Sequence, residues 1–143
     1  MCSRGEKCEH DAMEYMLSHG ASKQAAASAV KYLTENKFID NARFADAFAA
    51  DKFRFAKWGA HKIAAALRHK HIDEHHINTA LSHVAGPERE KQMAVDEMAK
   101  KLRGFDRNEP KQIIWQKLMR FGMAKGYRAE TCKEAISRLF AEL

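Results

Sequence analysis

The chain has 143 residues with 25 Lys and Arg against 19 Asp and Glu, a formal charge of +6. That length suits one domain or a short array, and the absence of any apolar run near the roughly 18 residues of a spanning helix argues against a membrane protein. Three cysteines, Cys2, Cys8 and Cys132, are an odd number behind no apolar leader, which predicts a reduced, cytoplasmic chain and not a disulfide-stapled secreted one.

Val, Ile and Thr together number 13 and never alternate as strands require, so the fold class predicted is all-α. In chain order, a helix over 10–19 ends at Gly20, Ser22 caps a second over 23–36, and Asp40 caps a third over 41–57. Helices over 60–70 and 74–84 follow, the latter capped by Asp73, then 88–103, 109–125 and 128–142, with Asn108 as the cap of the penultimate one. Pro87 and Pro110 suit first-turn positions, and Gly20, Gly59, Gly86 and Gly126 read as left-handed corners. In the third helix, Phe44, Phe48 and Phe55 share one seam at about 100° per residue while Phe53 points away. Asp51 falls inside that seam and therefore calls for a cation, with Arg54 or a basic residue of the next helix as candidates.

One apolar ladder recurs three times. Six, nine, ten and thirteen residues after Gly20 stand Ala26, Ala29, Val30 and Leu33; the same offsets from His71 give Ile77, Ala80, Leu81 and Val84, and from Gly126 give Cys132, Ala135, Ile136 and Leu139. Helical spacing also runs backwards from each anchor, through Ala12 and Tyr15, Ile63 and Ala66, and Leu118 and Phe121. The expectation is a single helical-repeat domain, an elongated curved array of three tandem three-helix units over about 1–38, 39–86 and 87–143, the first truncated. Ala29, Ala80 and Ala135 should be equivalent buried positions, and Cys132, on the ladder, a small buried hydrophobe.

Charge is uneven along the chain. Residues 41–143 carry the basic excess, and two stretches contain no acid: 52–72, with Lys52, Arg54, Lys57, Lys62, Arg68 and Lys70, and 110–129, with Lys117, Arg120 and Lys125 among its cations. The repeat register makes these the same place in successive units, while the first unit holds Glu9, Asp11 and Glu14 there. These nine cations are the candidate surface for an acidic protein or nucleic acid, against the plain alternative of a Lys-rich solvated exterior. Of the interleaved aromatics, Trp58 at a corner reads as the more exposed and Trp115 as core. His71 and His75 have the i, i+4 spacing of a metal pair, but the cap at Asp73 falls between them and neither a third ligand nor zinc-spaced partners for Cys2 and Cys8 appear. No metal, cofactor or catalytic site is expected, because no nucleophile with an adjacent base, phosphate-cradling loop or carboxylate pair is present.

The run FIDNARFADAFAADKFRFAKWGAHKIAAAL from Phe38 to Leu67, with KHI at 70–72 and KGY at 125–127, resembles the RecX family of bacterial recombinase regulators. The likeness extends from about Cys8 to the end, with His71 in place of the usual corner Gly and a start resembling the end of the family's opening helix. It implies tandem three-helix repeats and a monomeric protein that binds RecA, lodges in the groove of the RecA–DNA filament, suppresses ATP hydrolysis and strand exchange, and binds DNA more weakly by itself. The competing reading is an autonomous DNA-binding module contacting phosphates without a RecA partner.

Overall fold

The computed structural model describes residues 6–142, and Cys2 lies outside them. The described residues form α1 (Glu9–Ser18), α2 (Lys23–Glu35), α3 (Asn41–Asp51), α4 (Ala60–His69), α5 (Glu74–Val84), α6 (Pro87–Leu102), α7 (Lys111–Lys125) and α8 (Ala129–Ala141), with no strand among them. Side-chain oxygens start three helices as expected: Ser22 accepts from the Ala25 N–H, Asp40 from those of Ala42 and Arg43, and Asp73 from that of His76. Asn108 is not a cap. Its own N–H donates to the Asp106 carboxylate, and α7 starts three residues later behind Pro110.

Two apolar cores divide the later helices. Phe44, Phe48, Ile63, Leu67, Ile77 and Ala80 close one among α3, α4 and α5; Met98, Leu118, Cys132, Ala135 and Ile136 close the other among α6, α7 and α8. The first helix of each triplet packs chiefly on the third, α3 on α5 and α6 on α8. No α1 residue is fully buried, and Glu9 ties α1 to α3 by accepting from the Asn41 amide while its N–H donates to the Asn41 oxygen. Ala80 and Ala135 are fully buried; Ala29 is half-buried, because among the described residues no first-of-triplet helix packs on α2 as α3 and α6 do on α5 and α8.

The third helix departs from its α-helical phase. Beyond Asp51 the chain makes a π-helical turn, Lys52–Ala56, closed by Lys57 at φ +61°. A π turn takes i→i+5 bonds and advances the face by an extra residue, so Phe53, five after Phe48, now packs on the core. Phe55, placed in the seam by 100° steps, is 73% exposed. The expected Asp51 ion pair does not form either: Asp51 ends α3 half-exposed, where water reaches its carboxylate, it has no ion pair among the described residues, and Arg54 lies 6.0 Å from the Phe55 ring centre. Phe53→Ala is therefore expected to destabilise by about 2 to 3 kcal/mol, and Phe55→Ala by under about 0.5, in urea titrations. Equal losses would mean an uninterrupted α-helix.

Glycine serves two different purposes. Gly20 and Gly126 adopt φ +94° and +92° as left-handed corners, whereas Gly59 and Gly86 have negative φ and stand at helix N-caps. What Gly59 requires is space, since a Cβ there would lie 2.5 Å from the backbone of Gly126 and Tyr127. His71 takes φ +61°, the left-handed corner without a glycine.

Candidate interaction surface

α4 and α7 contain no acidic residue, and the chain sets them end to start. The Gly59 N–H donates to the Lys125 carbonyl at 2.8 Å and the His61 N–H to the Gly126 carbonyl at 2.9 Å, so first-turn donors of α4 are met by the carbonyl end of α7. The positive end of one helix dipole thereby meets the negative end of another. At its own far end α4 approaches the start of α1: Lys70 pairs with Asp11 at 2.5 Å, and the His71 and His10 rings are 4.6 Å apart.

A buried carboxylate that sequence reasoning passed over completes the α4–α7 junction. Glu90, in the first turn of α6, is fully buried and accepts from the Ala60 N–H (2.7 Å), the Arg128 N–H (3.1 Å), the Arg128 guanidinium (3.1 Å) and the Thr131 hydroxyl (2.9 Å). One side chain thus caps both α4 and α8. A Glu in a first turn ordinarily reads as a solvated response to the helix dipole, and only the three-dimensional meeting of two other helix starts distinguishes this one. Beside it the Tyr127 hydroxyl donates to the Lys57 carbonyl at 2.8 Å, and burial pushes its pKa above the usual phenol range. Burial also pushes the Cys132 thiol up to about 11, so this cysteine is an unreactive part of the core.

The nine candidate cations separate into distinct environments. Lys52 and Lys62 hold their ammonium groups 5.0 and 4.7 Å from the Trp58 ring centre, while the Trp58 edge packs on Phe48. Lys125 donates to the Ala56 carbonyl at 3.2 Å, bridging the triplets. Lys57 lines a groove with Arg89, Lys100, Asp96 and Glu97, a setting of both signs. Arg68 forms a two-pronged pair with Glu74 at 2.7 and 2.9 Å, whose hydrogen bonding holds the Glu74 carboxyl below its usual range and raises the Arg68 pKa. Lys117 pairs with Glu109 and lies over the Phe105 ring. Arg54 and Arg120 are exposed. Lys70, Arg68 and Lys117 are thus partly neutralised by carboxylates that the acid-free stretches, read alone, do not contain.

The aromatic assignments reverse. Trp58 is half-buried against the α3–α5 core, and Trp115, expected in the core, is exposed. Tyr127 is fully buried and unavailable for stacking on a base. Among the described residues no cluster of three or more potential metal ligands occurs, and no helix is long and apolar enough to cross a membrane.

Residues 40–81, which hold α3, α4 and most of α5, match the family model of the second three-helix domain of RecX. A regulatory protein RecX of Clostridium tetani is 33% identical over 136 residues, covering 93% of this chain and 61% of that one. The chain resembles the RecX family along nearly its whole length. A RecX of Clostridium botulinum strain Eklund 17B is 28% identical over 134 residues, 93% of this chain and 62% of its own length, so the chain spans about three-fifths of the curated relatives it matches. Those relatives bear the name regulatory protein. A crystal structure of regulatory protein RecX superposes with a TM-score of 0.82 at 23% identity, over 92% of this chain and 64% of that one. RecX from Lactobacillus salivarius gives 0.77 at 14% identity, over 98% and 90%. At such identities the superpositions establish a shared all-helical RecX fold.

Proposed function

We propose that this chain is a non-enzymatic regulator that binds RecA, seats in the groove of the RecA–DNA filament across neighbouring subunits, and lowers ATP hydrolysis and strand exchange, thereby regulating DNA repair. The observation carrying this reading is the end-to-start junction of two acid-free helices. Together α7 and α4 provide 25 residues, about 37 Å of helix at 1.5 Å per residue, along which Arg120, Lys125 and Lys62 follow one another. Such a length suits contact with more than one subunit of a polymer, and simultaneous contact favours assembled filament over free monomer through effective concentration. The name regulatory protein borne by the relatives supports a regulatory role. The proposal includes weaker direct contact of the same cations with DNA phosphates, and a monomeric, cytoplasmic protein whose units divide near residues 38 and 86.

Lys62→Glu with Arg120→Glu tests it, because neither side chain has a carboxylate partner among the described residues whose loss would confuse the result. The double variant is expected to lose inhibition of RecA ATPase while its stability falls by no more than about 1 kcal/mol, the loss of the Lys62–Trp58 contact included. Inhibition equal to the parent's at matched salt would overturn the role of this surface. An autonomous DNA-binding module is separated by RecA capture from nuclease-treated lysate, since a DNA-only binder loses RecA along with the DNA. Its affinity would also fall steeply with salt as counterions are released from the phosphates.

A further inference from the structure

α7 exposes apolar side chains that its core face does not need. Ile114, Leu118 and Gly122 point inward, and the opposite face carries Ile113, Arg120 and Met123 within about 80° of one another at 100° per residue. Ile113 is 38% and Met123 50% exposed, and Trp115, 37% exposed, lies between the core face and the Met123 side of the stripe. In the repeat register, Trp115, Arg120 and Met123 correspond to Ala60, Ala65 and Arg68 of α4, and Ile113 corresponds to Trp58, which precedes α4 and is half-buried against the α3–α5 core. The feature is therefore particular to α7 and not a by-product of the repeat.

We infer that the outward face of α7 is a protein-docking surface whose partner presents an acidic rim around an apolar pocket. Charge complementarity gives the sign, because Arg120 lies within the stripe and forms no ion pair among the described residues, and α7 contains no acid. The class of partner follows from which cations are committed. Lys117 is held by Glu109 and Lys125 by the Ala56 carbonyl, leaving a short cationic set, a poor match for a phosphate backbone, which rewards many cations at once. Ile113, Met123 and Trp115 gain nothing from phosphates, whereas Trp, Met and Arg are the residue types enriched where proteins meet. This inference rests on the reading of the chain as a RecA regulator and identifies α7 as the protein-contacting part of its surface.

Ile113→Ser with Met123→Ser tests it against two probes, RecA filaments on single-stranded DNA with a slowly hydrolysed ATP analogue, and the same DNA without RecA. Both residues are exposed, so the fold should persist, and circular dichroism checks it. Filament affinity is expected to fall about ten-fold or more with DNA affinity unchanged. Tyr32→Ser, at a still more exposed site on α2, should leave both affinities alone. Unchanged filament binding by the double variant overturns the docking surface and leaves the regulator reading standing. Parallel loss on both probes makes the face a nucleic-acid surface and also overturns it, as does an equal loss with Tyr32→Ser. A parent chain that does not bind filaments at all overturns the regulator reading, and the docking inference with it.

Discussion

Glu90→Ala is expected to cost about 2 to 4 kcal/mol, less than breaking a fully buried ion pair because the Arg128 side chain left behind is a third exposed, and to leave a marginally stable chain partly unfolded near 37 °C. The loss has a definite source. The Arg128 guanidinium loses its buried counter-charge, and the Ala60 and Arg128 amides and the Thr131 hydroxyl lose their acceptor together. Glu90→Gln keeps the shape but turns a donating NH₂ toward groups that also donate, so about 1 to 3 kcal/mol is expected. Urea titration of the three proteins at neutral pH gives the comparison. A loss under about 1 kcal/mol for Glu90→Ala would show that water replaces the carboxylate without penalty, contrary to its full burial.

Gly126→Ala is expected to cost about 2 to 4 kcal/mol, from a left-handed backbone at φ +92° and from overpacking against α4. An added Cβ would lie 2.3 Å from the Lys62 Cβ and 2.5 Å from its backbone nitrogen, and backbone cannot swing aside as a flexible side chain can. Gly59→Ala meets Gly126 from the other side at 2.5 Å without a conformational penalty, so its cost should be similar but should arise from contact alone. The double variant should cost less than the sum, because both substitutions push apart the same two helix ends. Full additivity would mean that the junction relaxes independently at each glycine.

The elements readable from sequence were those set by local chemistry. Ser22, Asp40 and Asp73 stand at their helix starts because an oxygen at that position serves its own backbone, and the ladder from Gly126 identifies Cys132, Ala135 and Ile136 because each points to the same neighbour. The π turn escaped because 100° steps assume an unbroken α-helix. Its one signal was the spacing of Phe44, Phe48 and Phe53, four and then five residues, with a second Phe two positions further on that could not share the face. The candidate cations were legible as residue types, but their environments were not. Lys70 meets Asp11 across 59 positions and Lys117 meets Glu109, just before the start of its own helix, so an acid-free stretch of sequence is not an acid-free surface. Glu90 was the largest omission, because its partners belong to α4 and α8 and become neighbours only when the two triplets meet.

A carboxylate that closes helix starts in both triplets also sets the order in which the molecule comes apart. Opening α8 would strip Glu90 of the Arg128 and Thr131 bonds, and opening α4 would strip it of the Ala60 bond, so neither triplet can fray without charging the other for a stranded buried ion. The two triplets are accordingly expected to exchange their amide hydrogens as one cooperative block. α1 contains no fully buried residue and is held by Lys70, the His71 ring and the Asn41 amide, contacts nearer the surface. The expected result in hydrogen exchange is a folding free energy graded along the chain, with the amino-terminal helix pair opening first and the block from α3 to α8 last.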